Sequence, residues 1–230
     1  MNVVIIGATQ GLGFELTKKF LAEGHRVAAG VKERDTPGTL MELCKQYGGN
    51  LLVFRTDVTD EYEVQQGSGS CAEFLGEIDA VCNVAGVLLP GDRINKINEC
   101  DTAELRRTFD VNFFGAVYVA KAFYPVLKRG GILMTVTSEG VGVNNCGTWV
   151  PCYGLSKTAA TKISGMFNAA VEDVDFYSVH PGRMNTEMGR TTAQIEASES
   201  ADGIYALIAG EKPISRNCWY IDYNGKPMEA

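Results

Sequence analysis

Val3-Val4-Ile5-Ile6 runs without a polar residue into Gly7-Ala8-Thr9-Gln10-Gly11-Leu12-Gly13, and an amphipathic stretch follows. This succession of apolar strand, glycine turn and helix constrains the fold more than any other feature of the chain. An apolar run without alternation suits a strand buried on both faces, as in a parallel sheet covered by helices. Leu12, Leu16, Phe20 and Leu21 share one helical face, and Gly24 stands where a left-handed residue closes a helix. The turn's glycines let the backbone bend sharply. They also let a pyrophosphate approach the free N–H groups at a helix N-terminus.

The same alternation continues to about residue 221. Val27–Ala29, Leu51–Phe54, Ala80–Val84, Ile132–Val136, Phe176–Val179 and Trp219–Ile221 read as further strands. Between them, Thr36-Pro37 reads as an N-cap and first residue of a helix to Tyr47. Asp101, with Glu104 at capping-box spacing, opens a long helix toward Leu127. Helices are also expected over 60–76, despite Gly67-Ser68-Gly69-Ser70, and over 151–170 and 198–209. No repeat or linker interrupts the pattern. The expected fold is α/β: one domain over 1–230, a doubly wound parallel sheet of about seven strands with helices on both faces. A chain of 230 residues buries roughly 70–75% of its unfolded surface and needs no disulfide or metal staple.

With 21 basic and 28 acidic residues the formal charge is −7, which disfavours nucleic acid or an anionic membrane as partner. No apolar run approaches the ~20 residues that span a bilayer. No basic segment precedes Val3 and no cleavage site follows it, so a cytoplasmic location is expected. Cys44, Cys71, Cys82, Cys100, Cys146, Cys152 and Cys218 form no CxxC pair and read as small hydrophobes in a reducing compartment. His25 and His180 stand apart and read as structural. Without a cluster of His, Cys and carboxylates at ligand spacing, no catalytic metal is expected.

Tyr153 and Lys157 are four residues apart on a predicted helix and share one face. A nearby ammonium favours phenolate and is expected to lower the tyrosine pKa from about 10. That makes Tyr153 a candidate general acid for carbonyl reduction and base for alcohol oxidation. Ser138 follows a strand's carboxyl end, where ligands lie in open α/β sheets, and its hydroxyl can bond a substrate carbonyl. Asn112 is polar within an apolar helical stretch and calls for a specific partner.

Together these segments resemble the short-chain dehydrogenase/reductase family in its compact, Rossmann-type form. Gly7 to Gly13 matches the family's GxxxGxG turn, and Asp57-Val58 the pair beside the adenine ring. Asn83-Val84-Ala85-Gly86 resembles its NNAG turn and Val111-Asn112-Phe113-Phe114-Gly115 its VNxxG segment. Ser138, the YxxSK match Tyr153 to Lys157, and the PGxxxT match Pro181 to Thr186 follow in family order. The resemblance implies catalysis by Asn112, Ser138, Tyr153 and Lys157, with Asn112 holding a water linked to Lys157, and Lys157 holding nicotinamide ribose hydroxyls. It implies nicotinamide dinucleotide contacts at Gly7, Thr9, Gln10, Gly11, Leu12, Gly13 and Lys32. Further contacts are implied at Asp57, Val58, Asn83, Ala85, Gly86, Tyr153, Lys157, Pro181, Gly182, Met184 and Thr186.

NADP(H) is favoured over NAD(H), because Val31 stands where NAD-preferring relatives carry Asp and Lys32 resembles a phosphate-binding residue. Loops around 87–95, 139–152 and 183–200 are expected to form the substrate pocket, with Trp149 on one wall. The offset from Ser138 to Tyr153 is 15, against 13 in many members, so that loop is longer. Asp222 to Pro227 resembles a tail of some carbonyl-reductase-like members. A small carbonyl or alcohol substrate is implied, as is a homodimer or homotetramer formed through helices 101–128 and 151–170. The alternative is a non-catalytic dinucleotide-sensing or interaction protein on the same fold.

Overall fold

The computed structural model describes residues 1–33, 38–142, 147, 149–189 and 193–229. Seven parallel strands form one sheet: β1 (Asn2–Ile6), β2 (Arg26–Val31), β3 (Leu51–Arg55), β4 (Ile78–Asn83), β5 (Leu127–Val136), β6 (Val174–His180) and β9 (Tyr220–Asp222). Their order is β3-β2-β1-β4-β5-β6-β9. A two-residue pair, β7 (Met184–Asn185) with β8 (Ile195–Glu196), stands outside it. The helices are α1 (Gly11–Ala22), α2 (Gly38–Tyr47), α3 (Glu61–Leu75), α4 (Thr102–Phe109), α5 (Gly115–Phe123), α6 (Pro151–Ala170) and α7 (Ala197–Ile208).

Successive strand residues point to opposite faces, so each uninterrupted apolar strand feeds two cores at once. Val3 and Ile5 join α1, α2 and α7 through Leu16, Leu40 and Ile204. Val4 and Ile6 join α3, α5 and α6 through Val64, Phe123 and Ile163. This two-sided demand is why the strands lack polar alternation. It is the doubly wound, single-domain arrangement expected from the sequence.

Local signals act as their chemistry requires. Gly24, at φ 79°, closes α1: its N–H bonds the Leu21 carbonyl while the His25 N–H reaches Phe20. Asp101 caps α4 through the Ala103 amide at 2.8 Å. Helix α3 runs unbroken through Gly67, where a Cβ would stand 2.8 Å from the Phe54 ring. The glycine serves close packing rather than a turn.

The structure corrects the long helix expected to reach Leu127. A π-helical turn, Asp110–Phe114, separates α4 from α5, and a short 3-10 turn, Tyr124–Val126, ends the segment. Strand β5 then begins at Leu127, five residues before the apolar core at Ile132 that signalled it, because Leu127 already pairs with Ile78; an irregularity follows, and regular pairing resumes at Gly131 with β6 and at Ile132 with β4. The expected cap Thr36-Pro37 lies outside the described residues. So does Cys146; the other six cysteines are free, with Cys71, Cys82 and Cys152 buried.

Candidate active site

Strand order reverses beside β1, which has β2 on one side and β4 on the other. The carboxyl ends of β1 and β4 therefore open a crevice where open α/β sheets bind ligands. Gly7, at φ 85°, leaves β1 there, and a Cβ on it would meet the Ala85 amide nitrogen at 2.9 Å. The Gly7 and Ala8 amides both bond the Gly30 carbonyl at 3.0 Å, which fixes the turn against β2. A Cβ on Gly13 would collide with the Gly7 carbonyl oxygen, so only glycine lets α1 start this close to the turn. Helix α1 has no acidic residue in its first turn and no side-chain cap from Gln10, so its N–H groups face the crevice with their positive end uncompensated.

The other sequence-predicted groups converge on this crevice. Thr186 stands over Gly11, its methyl 3.3 Å from a Cβ there. Asn83 is buried at the end of β4, and its Oδ1 has no hydrogen-bond partner. Burying such an acceptor is costly unless a ligand donor meets it. The glycine cradle, the bare helix end and this orphaned acceptor together fit a dinucleotide. Lys32, 63% exposed, lies beyond β2 and pairs with Asp57 at 3.0 Å. Burial pushes the Asp57 carboxyl up, but bonds from Thr59 and Lys32 outweigh it and hold the group below its ordinary value. Thr9 donates to Glu33 at 3.2 Å across the same edge. Val58 packs beneath Gly115, where a Cβ would come within 2.8 Å of its methyl. Leu12 is buried in the core, so only its backbone is free to face a ligand.

Tyr153 and Lys157 lie on α6. The Lys157 ammonium is 5.7 Å from the Tyr153 ring centre and donates to the Val136 carbonyl at 2.9 Å. Burial pushes the Tyr153 phenol up to about 12, while the Ser138 hydroxyl beside it draws it partly back. Burial likewise pushes Lys157 down to about 8. This corrects the expected lowering of the tyrosine pKa: desolvation of both groups dominates, and each is driven toward its neutral form. Asn112, in the π-helical turn, accepts from the Val87 amide at 2.8 Å and donates to the Val87 carbonyl at 3.0 Å and Ser156 Oγ at 2.9 Å. Ser156 in turn donates to the Tyr153 carbonyl at 2.8 Å. Gly86 makes room for the group: a Cβ there would stand 3.1 Å from Lys157 Nζ and 3.3 Å from Asn112 Oδ1.

Tyr153 and Ser138 share a cavity of about 530 Å³ whose walls include Leu88, Trp149, Pro181, Gly182, Met184 and Met188. Thr137 Oγ1 and His180 Nδ1 are buried without partners on its wall. Arg93 donates to the Met188 carbonyl at 2.6 Å, tying the loop after β4 to the segment after β7. Arg183 pairs with Glu139 at 2.5 Å. Residues 143–146 and 148 of the loop after Ser138 lie outside the described residues. Among the described residues, no group of three His, Cys, Asp or Glu is placed to hold a metal ion.

Two contributors were not anticipated. Asp92 accepts from the Cys152 and Tyr153 amides, each at 2.7 Å. Tyr220 donates to the Ser138 carbonyl at 2.6 Å. The signal for Asp92 was negative: Val150-Pro151 opens α6 without a capping side chain of its own. No comparable signal marks Tyr220.

The family model described as short chain dehydrogenase matches residues 1–197. A 1-deoxy-11-beta-hydroxypentalenate dehydrogenase of Streptomyces avermitilis is 29% identical over 227 residues, covering 92% of this chain and 82% of that protein. A carbonyl reductase of Pseudomonas aeruginosa PAO1, solved in complex with NADP, superimposes with a TM-score of 0.82 at 25% identity, over 100% of this chain and 99% of that one. The carbonyl reductase Sniffer of D. melanogaster shares the fold, with a TM-score of 0.89 at 19% identity and both chains covered in full. A match that begins in β1, passes through the glycine turn and the Tyr153 helix and ends at the start of α7 makes the chain a member of the short chain dehydrogenase family, and an oxidoreductase.

Proposed function

We propose that the chain reduces a ketone or aldehyde, or oxidises the corresponding secondary alcohol, with NADP(H) favoured over NAD(H). The observation that carries this reading is the placement of Tyr153 and Ser138 on one wall of the cavity, with Lys157 buried beside the tyrosine. When bound, the nicotinamide dinucleotide supplies or accepts the hydride. Gly7, Thr9, Gln10, Gly11, Leu12 and Gly13 would hold its pyrophosphate region, and Asp57 and Val58 its adenine end. Lys32 would meet a 2′-phosphate, and Lys157 the nicotinamide ribose. Asn83, Ala85, Gly86, Pro181, Gly182, Met184 and Thr186 would flank it.

Ser138 orients the substrate carbonyl by donating to its oxygen, and Tyr153 gives that oxygen its proton. A phenol pushed up to about 12 is protonated at neutral pH, the form a proton donor needs. Lys157, brought down to about 8, holds a proton that it can release near neutrality, and so can reload the tyrosine. Asn112 keeps Val87 and Ser156 in place beside this group. The apolar wall formed by Leu88, Trp149, Met184 and Met188 favours a carbonyl with an apolar body.

The exposed Phe114, Leu155 and Met166 support association of copies through the segments 101–128 and 151–170. No described helix is long and apolar enough to cross a membrane. The six free cysteines support a reducing, cytoplasmic setting. The test is a panel of ketones and aldehydes incubated with NADPH or NADH, with cofactor absorbance followed. Turnover with NADPH is expected. Failure of every compound, together with no NADPH binding by calorimetry, would overturn the reading.

A further inference from the structure

Asp92 lies in the short turn Gly91–Arg93, on the loop that follows β4, and is 1% exposed. A carboxylate withdrawn from water this far needs charge-assisted partners to offset its lost hydration. Its partners include two backbone amides, with the Cys152 thiol bonded to it as well. Oδ1 accepts from the Cys152 N–H and Oδ2 from the Tyr153 N–H, both at 2.7 Å. Those amides belong to the first turn of α6, where N–H groups have no partner within the helix. A cap residue of the same segment ordinarily supplies the acceptor. Here the N-cap position is Val150, in left-handed backbone at φ 45° and with no side-chain bond. Asp92 supplies the missing cap from 60 residues earlier in the chain, and its charge complements the positive end of the helix.

The placement has a functional consequence. One of the two amides is that of Tyr153 itself, so the root of this side chain is gripped directly. Ser156 holds the carbonyl of the same residue, and the phenol projects into the cavity from a backbone fixed at both ends. Leu88 and Arg93, on the same loop as Asp92, line that cavity. The carboxylate therefore locks a substrate-facing loop and the tyrosine-bearing turn to each other.

We propose that Asp92 is a positioning residue for Tyr153, fixing the first turn of α6 and setting where the phenol stands relative to the loop carrying Leu88 and Arg93. The proposal rests on the reading of Tyr153 as proton donor. Its test compares Asp92→Ala and Asp92→Asn with the wild type in the full chain. Asparagine keeps one acceptor oxygen but turns a donor toward the second amide, so it preserves part of the cap. A displacement of ~1 Å at a reacting group costs about 100-fold in rate, and Asp92→Ala is expected to lose about 30- to 100-fold in kcat. NADPH affinity stays within about threefold, because the glycine turn is untouched. Asp92→Asn recovers part of the rate.

In parallel, hydrogen exchange at the Cys152 and Tyr153 amides quickens about tenfold or more in Asp92→Ala, with the rest of the sheet unchanged. A kcat within twofold of wild type, NADPH affinity falling in step with kcat, or unchanged exchange at these amides would overturn the proposal. If Asp92→Ala does not fold, Asp92→Asn is judged by the same readouts. A wild type that turns over no carbonyl compound would instead count against the functional reading. The exchange rates would then decide by themselves whether Asp92 holds the turn.

Discussion

Lys157 places its ammonium nitrogen 5.7 Å from the centre of the Tyr153 ring, close enough to feel the ring but bonded elsewhere, to the Val136 carbonyl. The two side chains therefore lie side by side without a direct bond. Both protonation equilibria are shifted by the same cause, loss of water, toward the neutral phenol and the neutral amine.

Removing the phenolic hydroxyl removes the proposed proton donor while keeping the ring that fills the space. Tyr153→Phe is expected to lower kcat about 10²- to 10⁴-fold, the usual range for a general acid. NADPH affinity, measured by fluorescence titration, stays within severalfold. A variant retaining a tenth of wild-type turnover would remove Tyr153 from that role.

Lys157 is expected to leave its mark on stability against pH. Its folded pKa of about 8 lies below the ordinary 10.5, so the folded state gives up its proton first as pH rises. Between about 8 and 10.5 the unfolded chain binds more protons, and this group adds stability as pH increases. Tyr153 acts oppositely and later: its contribution, full below 10, is lost as pH rises toward 12. Melting curves of wild type and Lys157→Met between pH 7 and about 9.5 isolate the first effect, with stability rising more steeply in the wild type. Parallel curves would show that Lys157 is not desolvated as described.

The proximity of Tyr153 to Lys157 was legible because it depends on a short spacing. Tyr153 and Lys157 share a helix face, and the glycine turn lies between a strand and a helix that each announce themselves. What escaped was set by contacts between distant segments. Asp92 meets Tyr153 across 61 residues and Tyr220 meets Ser138 across 82, and neither pairing has a local pattern. The π-helical turn around Asn112 was hidden by a sequence that reads as continuous helix. The pKa directions were missed for a related reason: spacing reveals which charges are neighbours, whereas burial depends on the whole fold.

Tyr220 offers a test of one such distant contact. Its hydroxyl is the partner of the Ser138 carbonyl, and the side chain is otherwise packed in the core. Tyr220→Phe leaves that carbonyl without its donor, at a cost of about 1–3 kcal/mol. For a domain of this size the melting temperature falls by roughly 2–12 °C. Turnover drops as well, because Ser138 is no longer held from behind. Unchanged melting and unchanged kcat together would reduce Tyr220 to packing alone.

Gly115 tests the contact between the Asn112 turn and the Asp57-Val58 pair. A Cβ there would come within 2.8 Å of a Val58 methyl and 3.2 Å of the Val58 carbonyl oxygen. Gly115→Ala must push these segments apart, and overpacking of this kind costs about 1–3 kcal/mol. Helix propensity returns about 1 kcal/mol of that, since alanine suits a helix better than glycine. Chemical denaturation is expected to show a net loss, with weaker dinucleotide binding because Val58 moves. A stabilised variant would mean that the close approach is not required.

The proposed preference for NADP(H) over NAD(H) rests on Lys32. Its ammonium pairs with Asp57, and Glu33 beside it is bonded by Thr9, so the edge of the site carries both signs of charge. A 2′-phosphate reaching Lys32 must compete with Asp57 and tolerate Glu33. It nevertheless brings about two negative charges where the carboxylate brings one. A 2′-hydroxyl offers Lys32 no comparable gain, and Val31 provides no carboxylate to receive it. A charge-assisted contact gives about ten- to hundredfold preference, and the 63% exposure of Lys32 puts the expectation near tenfold. Lys32→Ala is expected to erase most of that preference by raising KM for NADPH while leaving KM for NADH nearly unchanged. Asp57→Asn separates the competing partner, freeing Lys32 and tightening NADPH selectively. Equal kcat/KM for the two cofactors in wild type, or a Lys32→Ala variant with undiminished preference, would show that the phosphate is read elsewhere.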